Sequence, residues 1–324
     1  MLPSLLFRVA GAAGGWVALD FVIQLAGFAI SYPLRTEKLY DMFGTGTYAL
    51  VAVGSFVRSS LGAQPGAGAA PLALKGGLTL LGRQAAATAM VGLWAARLGS
   101  FLVYRVHKTG ADSRFDAVKH DPARFFVSWA LQGVWVAVVV APVLLLNCAA
   151  PAAGASAAAA AAAAASLRWT DVAGPLLWLA GWATEAVADQ QKLAFKLDPA
   201  NKGRFVDTGL WSLARHPNYG AEIATWSGLA LFCAGSGALS GPGAMLACAA
   251  SPAFVAAILL GLSGVNVQRK QAEARWGGQA EYKAYKARTN LLFPLPFALP
   301  AWAGGPEESG GGGGGGPGST RRRR

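Results

Sequence analysis

The chain is poor in charged residues, histidine and cysteine, and each shortage narrows the class of protein. Only 14% of its 324 residues are charged, whereas 54% are hydrophobic, and the apolar residues cluster in long runs. A soluble core is built from shorter runs, so this composition indicates a membrane protein. Three cysteines without CxxC spacing and three histidines support neither a disulfide framework nor a zinc site.

The sequence also lacks a GxGxxG loop after a strand-like run, which excludes a soluble Rossmann domain as a nucleotide site. Acidic residues are few: 16 stand against 28 lysines and arginines, for a net charge of +12. The basic residues occupy short loops between apolar runs, where they set orientation and meet anionic headgroups. We therefore expect a lipid bilayer as partner and no nucleic acid.

Seven apolar segments approach the roughly 20 residues that a helix needs to cross about 30 Å of hydrocarbon. They lie near 12–32, 46–63, 77–104, 125–147, 167–187, 219–236 and 251–268. The predicted fold is an all-α, polytopic transmembrane helix bundle of about seven spans, within a range of six to eight. Seven spans place the basic loops and the C-terminus on one side, which the positive-inside rule makes cytosolic.

Polar residues interrupt the apolar pattern most densely around the motif RHPNY at 215–219. Pro217 suits the first turn of a helix, because the N–H that it lacks would be unpaired there anyway. The free N–H groups of that turn, with Arg215 and His216 beside them, favour an anion such as a pyrophosphate. The motif therefore predicts a helix start that binds a phosphate group.

Glu222 follows one turn later, inside an apolar segment, where a carboxylate must face a cavity or a partner. The spacing places Asn218, Glu222 and Trp226 on one stripe, with Tyr219 beside it. Such a stripe could hold a planar ring. The structural alternative is an ion pair between Glu222 and a lysine or arginine of a neighbouring helix.

Two further groups of residues lie at the same predicted boundary. Upstream, Asp189, Lys192 and Lys196 have the i, i+3 and i+7 spacing that places three side chains on one face at the end of a helix, and this face is expected to point to the boundary. An ordinary helix end whose lysines snorkel to the interface has the same pattern. Downstream, an amphipathic stretch that Pro294 ends predicts a C-terminal interfacial helix, either a membrane anchor or a lid over a nucleotide. These residues are Asp189, Lys192 and Lys196 upstream, and Arg269, Tyr282 and Tyr285 downstream.

The segments DQQK, GLWSLARHPNYGAE and YKAYKART together resemble the DUF1295 family. They also resemble the larger group of steroid 5-alpha-reductases, sterol C14-reductases and isoprenylcysteine carboxyl methyltransferases. The likeness covers most of residues 35–297 and includes Trp94 and Arg97. Two places depart from the pattern: Gly220 and Ala221 stand where relatives have a bulky aromatic residue and glycine, and Asn266 and Arg269 stand near an expected proline and acidic residue.

The resemblance implies NADPH as cofactor and hydride transfer to the β-carbon of a conjugated double bond in a lipophilic substrate. It implies catalytic roles for Glu222 and Tyr219. The cofactor contacts that it implies are Asp189, Lys192, Lys196, Arg215, His216, Asn218, Arg269, Tyr282 and Tyr285. Two alternatives remain open: a methyltransferase that uses S-adenosylmethionine, and a membrane protein without catalysis.

The resemblance also divides the chain. Residues 1–150 are expected to form N-terminal transmembrane helices on the side of the lipophilic substrate, and residues 167–300 a cofactor-binding domain. An alanine-rich linker, 151–166, joins them, and a glycine-rich basic tail, 301–324, is expected to be disordered. The expected location is the endoplasmic reticulum or another organelle membrane, and the sequence leaves the oligomeric state open.

Overall fold

The structure is a computed structural model that describes residues 2–62, 79–110, 115–149, 167–239, 241–262, 264–300 and 305. Regular structure in these ranges is helical, and one isolated bridge pairs Ala214 with Asn290. The all-α prediction is therefore confirmed for the described residues. The linker at 151–166 lies outside them, and so does the tail at 301–324 apart from Gly305; both were assigned from sequence.

The described α-helices follow one another with short connections. Two 3-10 turns, Pro199–Asn201 and Gly209–Ser212, lie between the fifth and the sixth helix. The helices are α1 Leu2–Ser31, α2 Tyr40–Gly62, α3 Leu80–Thr109, α4 Pro122–Cys148, α5 Thr170–Leu197, α6 Pro217–Gly235, α7 Pro242–Ala257, α8 Val265–Trp276 and α9 Ala280–Arg288.

Four stretches of the described helices are long and apolar enough to cross a membrane, which supports an integral membrane protein. They correspond to the predicted segments near 12–32, 77–104, 125–147 and 251–268. The other three predicted segments coincide largely with α2, α5 and α6, which are long enough but are not among the four candidate spans. The number of about seven spans therefore stays a prediction. The four stretches are Ala13–Ser31, Leu80–Thr109, Pro122–Cys148 and Pro242–Trp276.

The predicted segment at 251–268 differs from the structure in its bounds. Helix α7 begins earlier, at Pro242, and continues into a π-helical turn at Ile258–Leu262. A separate helix, α8, follows, and Gly264 is its N-cap. The predicted C-terminal interfacial helix is likewise two helices, α8 and α9, because the adjacent glycines 277 and 278 interrupt it.

Helices α5 and α6 pack closely along their length because glycines line the contact. A Cβ atom built on Gly181 would lie 2.6 Å from the carbonyl oxygen of Ala221. One built on Gly228 would lie 2.4 Å from the backbone nitrogen of Trp178. Small residues at such positions let two backbones approach, as in membrane helix pairs generally. This contact fixes the position of the RHPNY turn relative to the end of α5.

Candidate functional site

Three helices bring charged side chains together inside the bundle. Arg97 on α3 donates from its NH1 atom to Oδ2 of Asp189 on α5 at 2.9 Å. Its NH2 atom lies 2.9 Å from Oε2 of Glu185, one turn earlier on α5. Asn218 at the start of α6 donates to the other oxygen of Asp189 at 3.3 Å. We call Arg97, Glu185, Asp189, Asn218 and Glu222 the carboxylate cluster.

Glu222 is held by two indole rings. Its Oε1 atom accepts a hydrogen bond from Nε1 of Trp226 at 2.7 Å, and its Oε2 atom accepts one from Nε1 of Trp94 at 3.3 Å. The ring of Tyr48 packs against both indoles, with centroid distances of 4.9 and 5.5 Å. Glu222 therefore turns inward, and neutral donors hold it in place of the lysine or arginine of the structural alternative.

The RHPNY turn forms as the motif predicts, with Pro217 in the first turn of α6. The segment after α9, at 290–292, lies against this turn, because the backbone N–H groups of Arg215 and His216 donate to the carbonyl oxygens of Asn290 and Leu291. A Cβ atom on Gly220 would lie 2.6 Å from the carbonyl oxygen of the next residue, Leu292. The close approach of this segment explains why a bulky aromatic residue is absent after the tyrosine.

His216 is buried and stacks on Tyr219, with ring centroids 5.5 Å apart. Burial, reinforced by the positive charges of Lys192 and Arg215, lowers the pKa of His216 from 6.5 to about 3. The imidazole is therefore neutral at pH 7. The positive charge expected at this helix start comes from Arg215 and Lys192 instead.

Gln268 on α8 ties the turn to α5. Its amide nitrogen donates to the hydroxyl of Tyr219 through a short hydrogen bond, and its amide oxygen accepts one from Nζ of Lys192 at 3.4 Å. The ammonium group of Lys192 also lies over the ring of Trp211, 4.8 Å from its centroid. Lys192, Tyr219 and Gln268 thus form a polar layer next to the carboxylate cluster.

The remaining predicted residues lie apart from this cluster. Lys196 is exposed near the end of α5. Tyr282 and Tyr285 are buried against Phe205, and the hydroxyl of Tyr285 donates to the carbonyl oxygen of Trp211 at 2.7 Å. Burial raises the pKa of Tyr285 above its usual value. The two tyrosines therefore pack against the loop between α5 and α6 and stabilise it.

Arg269 lines an open cavity of about 390 Å³ on α8. The expected proline position nearby is taken by Asn266, whose side-chain nitrogen donates to the carbonyl oxygen of Gly261 at 3.0 Å. Asn266 therefore satisfies a carbonyl of the π-helical turn. Lys270 and Glu273 complete the lining of the cavity.

Sequence reasoning left Trp94, Arg97, Glu185 and Gln268 out of the site. Arg97 and Glu185 carried a usable signal, because each is a charge that interrupts an apolar run. Trp94 was included in the family likeness but was given no role, and Gln268 carried no signal, since a glutamine at a helix start is an ordinary residue. Only the packing of α3 and α8 onto α6 reveals them.

The family model that matches this chain is DUF1295, described as a protein of unknown function, over residues 27–289. The chain belongs to the DUF1295 family. The matched range includes every helix of the carboxylate cluster, so the candidate site of this DUF1295 protein lies within the family's common part.

One curated relative is similar over a short stretch. The chain is 44% identical over 62 residues to the "Probable O-methyltransferase ustE" of Ustilaginoidea virens. That stretch is 19% of this DUF1295 chain and spans about a fifth, 22%, of the relative. No solved structure matches the chain.

Proposed function

We propose that this DUF1295 protein is a membrane-embedded, NAD(P)H-dependent reductase of a conjugated double bond in a lipophilic substrate such as a steroid, an isoprenoid or an acyl lipid. One observation carries the proposal: an asparagine, an arginine and three carboxylates meet between helices beside buried indole rings. Ionisable groups are costly inside a membrane protein, and their convergence marks a functional site more often than a structural one.

The residues present fit a dinucleotide cofactor. The Oδ1 atom of Asn218 is buried and has no hydrogen-bond donor among the described residues, which suits an amide N–H such as that of nicotinamide. Arg269 and Lys270 border the cavity on α8, and Lys192 lies between that helix and the cluster. These cations suit phosphate groups, including the 2′-phosphate that NADPH carries and NADH lacks, so the proposed cofactor is NADPH.

When bound, the cofactor supplies the hydride for the β-carbon of the substrate. The residues of this chain do the rest. Trp94, Trp226 and Tyr48 exclude water beside Glu222, because all three rings are buried. Gln268 holds the hydroxyl of Tyr219, which is assigned to proton donation at the substrate. Glu222, fixed by two indoles, would orient the nicotinamide ring against the stripe of Asn218, Glu222 and Trp226.

A second candidate is a methyltransferase that uses S-adenosylmethionine, and the likeness to the O-methyltransferase favours it. The charge of the site is compatible with this reading. Glu185 and Asp189 pair with Arg97, and Glu222, held by Trp94, is a third carboxylate of the cluster. A site with more carboxylates than cations attracts a positively charged sulfonium.

Thermal stabilisation of the purified protein in detergent separates the two candidates. A ligand that binds the native state stabilises it by about 2.7 kcal/mol at 100 times its dissociation constant. For a reductase, NADPH raises the melting temperature of the parent and of His120→Ala, an exposed control, whereas Asn218→Ala and Glu222→Gln lose most of the shift. A shift with S-adenosylmethionine alone supports the methyltransferase. Full NADPH affinity in both variants refutes the assigned pocket.

A further inference from the structure

A cleft between α3 and α5 opens on the outside of the bundle and ends at the carboxylate cluster. Its volume is about 270 Å³. The lining residues of α3 follow a helical stripe of i, i+3 or i+4, and i+7, so one face of the helix forms one wall. The lining residues are Arg97, Ser100, Phe101, Tyr104, Ala186 and Gln190.

We infer that this cleft binds the carbonyl end of the lipophilic substrate and admits it from the bilayer. The inference rests on the proposed reductase function and names the entry site and the group that is recognised. The Arg97 side chain, 13% exposed, forms the inner end of the cleft and touches Asp189, which in turn holds Asn218. Arg97 and Asp189 therefore stand between the cleft and the proposed cofactor contact, so the cleft is an entry site that the substrate leaves before hydride transfer.

The charges around the cleft favour a neutral oxygen over an anion. Glu185 and Asp189 lie directly behind Arg97, each 2.9 Å from its guanidinium, and they offset its positive charge. A second carboxylate or a phosphate in the cleft meets that negative charge and is disfavoured. A ketone oxygen brings no charge, and the amide of Gln190 and the hydroxyl of Tyr104 are donors beside it.

The size and the outer surface of the cleft fit an amphipathic ligand that is held only by its polar end. Pockets that enclose a whole small molecule are typically about 300–1,000 Å³, so this cleft is small for a lipid. The surface beside it is apolar: Leu93, Val103 and Val187 are 56%, 51% and 48% exposed. The remainder of the ligand therefore lies along α3 and α5, where lipid tails would otherwise pack. Tyr104, which is 47% exposed, is an amphipathic residue of the type found at membrane interfaces.

Photo-crosslinking of the full chain in lipid nanodiscs tests the inference. The probe is 4-cholesten-3-one with a diazirine, and diazirine-labelled palmitic acid is the anionic comparison. We expect the enone probe to label the stretches 97–104 and 186–190. Ala186→Trp, which fills the cleft, should reduce this labelling about tenfold, a loss of roughly 1.4 kcal/mol of affinity. Ala180→Trp, an exposed alanine of the same helix that does not line the cleft, should leave it unchanged.

Two outcomes overturn the inference: enone labelling that Ala186→Trp does not change, or equal labelling of the cleft by the palmitic acid probe. Gln190→Leu, an exposed position, is a second variant in case the tryptophan prevents folding, and it should weaken labelling several-fold. NADPH stabilisation is measured on the same samples. Cleft labelling without any NADPH shift contradicts the reductase proposal and supports the carbonyl site. An NADPH shift without cleft labelling supports the reductase proposal and contradicts the carbonyl site.

Discussion

Arg83 on α3 and Asp171 on α5 form a two-bond ion pair in the bundle, with 2.9 Å between Nε and Oδ1 and 2.5 Å between NH2 and Oδ2. The side chains are 2% and 0% exposed. The backbone N–H of Arg168 also donates to Asp171 at 3.0 Å. This ion pair lies near the start of both helices, whereas the ion pair of Arg97 and Asp189 joins the same two helices closer to their C-terminal ends. The two ion pairs fix the register of α3 against α5.

Removing one partner of the buried pair should destabilise the protein strongly. Arg83→Met leaves the Asp171 carboxylate without its guanidinium, and breaking a buried pair in this way costs roughly 3–5 kcal/mol. The double variant Arg83→Met/Asp171→Leu removes both charges and should recover much of that loss. Thermal melts in detergent measure both. A double variant no more stable than the single one contradicts the charge argument.

Trp226→Phe should cost more stability than Trp129→Phe, although both indoles are 1% exposed. Trp226 donates to Glu222 at 2.7 Å, whereas the N–H of Trp129 has no hydrogen-bond partner among the described residues. A fully buried acceptor left without its donor costs about 1–3 kcal/mol, and for the partly buried Glu222 the expected difference between the variants is at the lower end, about 1 kcal/mol. Equal melting temperatures of the two variants rule out a contribution from the indole–carboxylate bond.

Alanine at two helix glycines should have opposite effects. Gly181→Ala places a methyl group 2.6 Å from the backbone oxygen of Ala221, so α5 and α6 must separate and the melting temperature falls. Gly92 has no atom within 4 Å of its Cβ position. Gly92→Ala should therefore keep or raise stability, by up to roughly 1 kcal/mol, from helix propensity. A fall of equal size in both variants shows that close packing at Gly181 is not the cause.

His216 should make the protein less stable in mild acid. Its pKa is lowered to about 3 in the folded chain, against 6.5 unfolded, so the unfolded state binds the proton first. Stability from this group is complete above pH 6.5 and falls as the pH drops toward 3, by about 2 kcal/mol at pH 5.

His216→Gln should therefore flatten the decline of the melting temperature between pH 7.5 and 5. His107→Gln, at an exposed histidine, is the control and should keep the slope of the parent. Other acidic groups contribute to both slopes, so the comparison between the two variants carries the result. Identical slopes in the parent and in His216→Gln place the acid sensitivity elsewhere.

The sequence by itself determined the membrane class, the all-helical fold and the start of α6 at Pro217. These follow from local properties: the length of apolar runs, and a proline that fits only the first turn. The stripe of Asn218, Glu222 and Trp226 was also predictable, because helical spacing alone places residues four apart on one face. The hydrogen bond between Glu222 and Trp226 was not predicted.

Only the tertiary structure decided which helices supply the partners of that stripe. Arg97 and Trp94 are more than a hundred residues from Glu222 along the chain, and they reach the site because α3 packs beside α5 and α6. The same is true of the neutral state of His216, which depends on burial and on Lys192 from another helix. Spacing along one helix fixes a face, but the neighbour of that face depends on how separate helices pack, and close approach at glycines such as Gly181 and Gly228 sets that packing.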